Sequence, residues 1–264
     1  MPLVRCALLL VPLLAAAVAR AETQASAVDA DYIAPAASLA PERVQGLQHR
    51  LLDWPGLARY RDDNARLPAH EAGRVVFYGD SITDGWGRVA DTSFFPGKPY
   101  VNRGISGQTT AQMLVRFRQD VIELHPQCVA IMAGTNDIAM NNGYIALENT
   151  YQNIVSMCEL ARFNGIKVLL CSVTPCVRYN WRPQVEPGKI IPKLNAMLRK
   201  YADSAEGVEY VDYFSAMADK DNAMLPEYSP EGCHPNGEGY KVMEKIIVSA
   251  INKVNGTDKN YFVY

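Results

Sequence analysis

The sequence predicts a three-layer α/β/α domain built on a parallel sheet. Strands and helices alternate from Arg74 to the final helix, the pattern of repeated βαβ units. Val75-Val76-Phe77-Tyr78 is an unbroken apolar run, as expected of a strand covered on both faces. Tyr151, Ile154, Val155, Cys158 and Ala161 form a stripe of period 3.6, which marks a helix with one face to bury.

The elements follow in order. Arg5, the apolar stretch Ala7 to Val18 and Ala19-Arg20-Ala21 have the layout of a cleaved export signal over residues 1–21. An uncleaved anchor is the alternative. The apolar stretch is short for a membrane span, and Cys6 precedes it, badly placed for a lipidated mature N-terminus. Residues 22–46 are rich in Ala, Pro and small polar residues and read as a flexible arm. The domain is expected over 47–256, with a tail at 257–264. Leu51, Leu52, Trp54, Leu57 and Tyr60 suggest short flanking helices, with Pro55 at a helix start.

Strand 1 is expected over Arg74 to Gly79 and strand 2 near Tyr100 to Arg103. A helix follows over Thr109 to Leu124, stopped by His125-Pro126. Strand 3 is Cys128 to Ala133 and strand 4 is Lys167 to Val173. Asn164-Gly165 ends the helix between them. Ile191, Leu194, Leu198 and Tyr201 mark another helix, and Val208 to Tyr213 a fifth strand. Val242, Met243, Ile246, Ile247 and Ala250 mark the last helix.

The chain has 264 residues, 48% hydrophobic and 20% charged, with a net charge of -2. One sizeable core is within reach. Nothing in the charge balance points to nucleic acid. Five cysteines follow residue 21: Cys128, Cys158, Cys171, Cys176 and Cys233. Export would place them in an oxidising compartment, and an odd count leaves one unpaired within a monomer. Cys128 and Cys171 fall at opposite ends of neighbouring parallel strands, too far apart to bond. Cys171 and Cys176 remain as the one pair to consider. No zinc-type Cys/His spacing is present.

Ser81 follows strand 1 at the carboxyl end, where open α/β sheets bind ligands. There it is either a nucleophile awaiting a base or a cap of the next helix. Gly79-Asp80-Ser81, Asn102-Arg103-Gly104-Ile105-Ser106-Gly107, Gly134-Thr135-Asn136-Asp137 and Glu231-Gly232-Cys233-His234-Pro235-Asn236 together resemble the four blocks of the SGNH (GDSL) hydrolase family. The resemblance spans Val75 to Met243. It is closest to the platelet-activating-factor acetylhydrolase branch and to secreted bacterial esterases.

That resemblance implies a flavodoxin-like sheet of five strands in the order 2-1-3-4-5. It implies Ser81 as nucleophile and His234 as base. The oxyanion donors would be the backbone N–H of Ser81 and Gly104 and the side-chain amide of Asn136. The family's usual triad acid is Asp; here the position holds Glu231. Either Glu231 orients His234 or it is a solvated loop charge beside a Ser-His dyad. Asp80 and Asp137 are expected to hold loop N–H groups. Trp86, close after Ser81, and Tyr179 and Trp181, in the loop after strand 4, are candidate substrate-binding aromatics; a self-packed loop is the alternative for the last two.

The expected protein is an exported, periplasmic or secreted serine esterase that needs no cofactor. Its partner would be a small-molecule or carbohydrate ester, with no nucleic acid and no stable membrane insertion after cleavage. Short-chain esters, lysophospholipids and thioesters remain open as substrates. An acyltransferase would use the same residues. A non-catalytic carbohydrate-binding protein of the same fold is the reading from another class, motivated by Glu231.

Overall fold

The computed structural model describes residues 41–256. The expected signal, residues 22–40 of the arm and the tail lie outside the described residues. These fall into two compact units. The smaller takes in helix α1 (Pro41–Leu52) and residues 142–144. Helix α1 therefore runs across the boundary expected at 46/47, and Leu51 and Leu52 are exposed on it.

The larger unit holds α2 (Arg61–Arg66), β1 (Val75–Gly79), α3 (Ser81–Gly85), β2 (Tyr100–Gly104), α4 (Thr110–Asp120), β3 (Cys128–Met132), α5 (Thr135–Ile138), α6 (Leu147–Phe163), β4 (Lys167–Cys171), α7 (Pro187–Ser204), β5 (Val208–Val211), α8 (Tyr213–Met217) and α9 (Gly237–Val254). The five strands form one parallel sheet in the order β2-β1-β3-β4-β5. This is the expected order.

Alternation along the strands feeds two cores. Val76, Tyr78, Val129, Ile131, Val168 and Leu170 face the layer of α4, α6 and α7. Val75, Phe77, Cys128, Ala130, Leu169 and Cys171 face α9 and an aromatic cluster around Trp86. Each fully buried aliphatic or aromatic side chain contributes about 1.5–3 kcal/mol.

Several local expectations are corrected. Pro55 lies in a turn, because Asp53 folds its carboxylate onto the N–H groups of Leu57 and Ala58 at 2.7 and 2.8 Å instead of opening a helix. Of the flanking apolar residues only Tyr60 is buried. The helix expected to reach Leu124 ends at Asp120 and continues as a 3-10 turn over Ile122–Leu124. The fifth strand stops at Val211, and Asp212 caps α8 by accepting from the Ser215 N–H.

Register aligns Gly79 with Gly104 and with Met132, so three loops leave the carboxyl edge side by side. Beneath them lies Arg116, fully buried on α4. Its guanidinium donates to the Gly79 carbonyl at 3.2 Å, the Arg103 carbonyl at 2.9 Å and Gln108 Oε1 at 2.5 Å. It pairs with buried Asp120 at 3.0 Å. Asp137 supplies a second tie, accepting from the Thr110 N–H at 2.9 Å and the Thr110 hydroxyl at 2.5 Å.

Arg116→Met should cost about 3–5 kcal/mol in urea unfolding, because Asp120 is left charged and buried. Arg116→Met with Asp120→Leu should recover part of that loss. A single variant as stable as wild type would show the guanidinium to be dispensable.

Burial raises the Asp137 pKa to about 6, against the pull of the Thr110 hydrogen bonds. The folded state therefore binds this proton more tightly than the unfolded chain does. Its contribution to stability should grow as pH falls through 6 towards 4 and be lost as pH rises. The stability gap between wild type and Asp137→Ala should widen by about 3 kcal/mol between neutral and acid pH. A gap independent of pH would contradict the shift.

Candidate active site

Ser81 is the first residue of α3. There its N–H has no partner within the helix. Asp80 caps the helix, its carboxylate accepting from the Ile82 N–H at 3.0 Å. Burial raises the Asp80 pKa to about 6, partly offset by the Ile82 N–H and by His234. Asp80 and Asp137 thus hold backbone N–H groups, as expected.

The Ser81 hydroxyl lies 3.0 Å from His234 Nε2. His234 Nδ1 lies 2.8 Å from Glu231 Oε1, and the same oxygen accepts the backbone N–H of His234. The carboxylate therefore favours a proton on Nδ1 and leaves Nε2 as an acceptor for the serine proton. The Glu231 and His234 side chains are 40% and 43% exposed, so solvent weakens their coupling relative to a buried pair. Asn236 holds the loop's exit by capping α9 through the Gly239 N–H at 3.0 Å. Tyr240 on that helix donates to the Ile82 carbonyl at 2.7 Å, tying the histidine side of the site to the serine side.

Asn136 sits in the first turn of α5 and is buried. Its Nδ2 donates to the Gln108 carbonyl at 3.1 Å, and its Oδ1 accepts from Asn141 Nδ2 at 2.6 Å. One Nδ2 hydrogen remains after the Gln108 bond.

Gly104 does not match its expected role. It is buried, and its N–H donates to Asn102 Oδ1 at 2.9 Å. Its carbonyl accepts from the Tyr60 hydroxyl. A Cβ there would meet the Asp84 nitrogen at 2.2 Å, so glycine is present for close packing of α3 on β2. Gly107, three residues on, is exposed with φ +80 and open space around it. The sequence shows two glycines in one loop, and only hydrogen-bond accounting separates them.

Trp86 is also corrected. It is 3% exposed and packs on Phe77, Phe95 and Tyr240 at ring distances of 5.2–5.6 Å, so it belongs to the core. Its edge contributes to a cavity of about 420 Å³ that also involves Tyr60 and Arg103 and none of the residues around Ser81. Tyr179 is fully buried, with its hydroxyl 2.6 Å from Thr135 Oγ1. It backs the α5 turn instead of offering a face to a ligand. Trp181 is 40% exposed, stacks on Tyr179 at 4.9 Å and lies 6.1 Å from the His234 ring. Asn141, which the sequence did not single out, bonds both Trp181 and Asn136.

The five cysteines among the described residues are free and buried. Cys171 keeps to its own strand, its thiol donating to the Leu169 carbonyl, so the pair with Cys176 does not form. Among the described residues, Glu231, Cys233 and His234 bring potential metal-ligand atoms within 4.8 Å of one another. Cys233 is a poor member of such a set: a hydrogen bond with Cys176 and burial push its pKa far up, so it stays a thiol.

The chain matches the GDSL-like Lipase/Acylhydrolase family model over residues 77–242. A Bacteroides fragilis protein provisionally named an acylhydrolase is 46% identical, with a TM-score of 0.72; the match covers 76% of this chain and 97% of that one. A GDSL-like lipase from Bacteroides thetaiotaomicron is 43% identical, with the same TM-score, over 75% and 98% of the two chains. An acetylxylan esterase from Xylanibacter ruminicola is 26% identical over 221 residues, 70% of this chain and 44% of its own length. An uncharacterized lipoprotein of Bacillus subtilis is 31% identical over 122 residues, 40% of this chain and 50% of its own. The chain spans about half the length of these curated relatives. With the family model covering most of the domain, and with structures over 40% identical along nearly their whole length, the chain belongs to the GDSL-like lipase/acylhydrolase family of ester-hydrolysing enzymes.

Proposed function

We propose that this protein is an exported serine esterase that removes short acyl groups from carbohydrate esters. The observation that carries the mechanism is the continuous line from Ser81 Oγ through His234 to Glu231, at 3.0 and 2.8 Å. Ser81 attacks the ester carbonyl while His234 Nε2 takes its proton. The imidazolium then protonates the leaving alcohol. Water, activated by the same histidine, hydrolyses the acyl-enzyme.

The oxyanion would be held by the N–H of Ser81, the spare Nδ2 hydrogen of Asn136 and the N–H of Gly107. Gly107 takes the place first expected of Gly104, because its N–H lies in an open loop while that of Gly104 is consumed by Asn102. Asn136 reaches the same loop through the Gln108 carbonyl.

The half-exposed Trp181 face beside His234 suits a sugar ring, and the name of the Xylanibacter relative supports an acetylated carbohydrate. Glu231 bonded to His234 argues against a non-catalytic binding protein. No helix among the described residues is long and apolar enough to cross a membrane. The similarity to a lipoprotein accords with export, while the export signal itself rests on the sequence of residues 1–21.

A fluorophosphonate should label wild type at Ser81, and acetylated xylo-oligosaccharides should be hydrolysed faster than longer-chain p-nitrophenyl esters. Ser81→Ala should lose turnover by roughly 10⁶-fold. Substantial hydrolysis by that variant would remove Ser81 from its role. Glu231→Gln should lower kcat by about 10²–10³, less than the ~10⁴ of a buried triad acid because the pair is partly in water. Glu231→Asp should lose about tenfold, since the shorter side chain withdraws from Nδ1. If both match wild type while His234→Ala is inactive, the site is a Ser-His dyad.

Gly104→Ala should lower Tm sharply, because its Cβ has nowhere to go. Gly107→Ala, strained at φ +80 but free of clashes, should cost about 1–3 kcal/mol, less than Gly104→Ala, and should lose kcat. Equal Tm losses would return the two glycines to equivalent roles.

A further inference from the structure

We infer that Asn141 is a positioning residue that fixes the direction of the Asn136 amide, with the Trp181 indole setting the direction of Asn141 in turn. The inference deepens the esterase reading and rests on it.

Three hydrogen bonds run in series. Trp181 Nε1–H donates to Asn141 Oδ1 at 3.1 Å, Asn141 Nδ2 donates to Asn136 Oδ1 at 2.6 Å, and Asn136 Nδ2 donates to the Gln108 carbonyl at 3.1 Å. An asparagine amide has two nearly isosteric orientations, and its neighbours alone decide between them. Here both ends of the series have a single possible role. An indole N–H can only donate, and a backbone carbonyl can only accept. Both amides between them are therefore polarised one way.

The consequence falls on the oxyanion. With Oδ1 of Asn136 engaged by Asn141, the Nδ2 side keeps one hydrogen free. Turned over, Asn136 would set its oxygen against the Gln108 carbonyl and offer no donor to a negative oxygen. Loss of a whole donor of this kind costs about 10²–10³ in kcat. Asn141 is placed for the task by the backbone, since its N–H closes on the Asn136 carbonyl at 3.0 Å after the α5 turn. Trp181 meanwhile stands beside His234, so the aromatic face on the substrate side and the buried donor share one bonded path.

The direction of the series makes the test sharp. Asn141→Ala removes the donor to Asn136 and should lower kcat for p-nitrophenyl acetate by roughly tenfold, with KM within about twofold. Asn141→Asp has the same shape but only accepts when ionised, so it pulls Asn136 the wrong way. It should lose more than the alanine variant, by about 10²-fold. Its activity relative to wild type at the same pH should recover as pH falls and the carboxyl group regains a proton to donate. Trp181→Phe keeps an aromatic face, though a smaller one, and loses the N–H. It should lower kcat a few-fold, and should cost nothing further when added to Asn141→Ala, as expected for residues acting through one path.

In an Asn136→Ala background the gap between Asn141→Ala and Asn141→Asp should close. Asn141→Asp equal to or better than Asn141→Ala, or a gap undiminished without Asn136, would overturn the inference. Those results would leave the esterase reading standing as long as wild type turns over and Ser81 is labelled by a fluorophosphonate. Absence of both turnover and labelling in wild type would instead overturn the esterase reading, and the inference with it.

Discussion

The buried guanidinium of Arg116 is the constraint on which the carboxyl rim depends. The carbonyls at the carboxyl ends of parallel strands need partners, and here two such ends, one of them already bonded to the Ile105 N–H, lie close to Ser81. Arg116 satisfies the Gly79 and Arg103 carbonyls and the Gln108 side chain at once. Such a charge is tolerable inside only with a partner and full hydrogen bonding. Asp120, one turn along α4, supplies the partner, and Asn64 donates to that carboxylate at 2.8 Å. The loops that carry Ser81 and Gly107 therefore leave from fixed points.

Much of the fold was legible because burial leaves a compositional trace. β1 and β3 are covered on both faces and read as apolar runs. α6 and α9 are covered on one face and read as stripes. β5 is an edge strand with a half-exposed face, and its apolar signal ran on into Tyr213. That residue is buried, but on a helix capped by Asp212, and composition does not separate the two. α3 and α5 are single turns too short to show periodicity, and their existence depends on hydrogen bonds of the loop.

The candidate site was legible where a residue is scarce or closely placed after a strand. His234 is one of only four histidines, and Ser81 stands out by following β1 closely. The aromatic residues did not separate in the same way. Trp86 and Trp181 are equally prominent in sequence, yet one fills the space between β1 and α9 and the other stands at the surface near His234. Gly104 and Gly107 posed the same problem. Which glycine keeps a free N–H depends on where Asn102 points, a side-chain fact that spacing does not carry.

Glutamate in place of the usual aspartate is explained by what its extra methylene reaches. Oε1 of Glu231 lies against both the backbone N–H and Nδ1 of His234, so the side chain loops back over the tetrapeptide Glu231 to His234. Such a ring fixes the imidazole relative to its own backbone. A partner from a distant element would fix it relative to the sheet. Orientation towards Ser81 must then come from the loop as a whole. The Asn236 cap and the Tyr240 bond to the Ile82 carbonyl supply it. Glu231 and His234 form one local unit, and α9 holds that unit against Ser81.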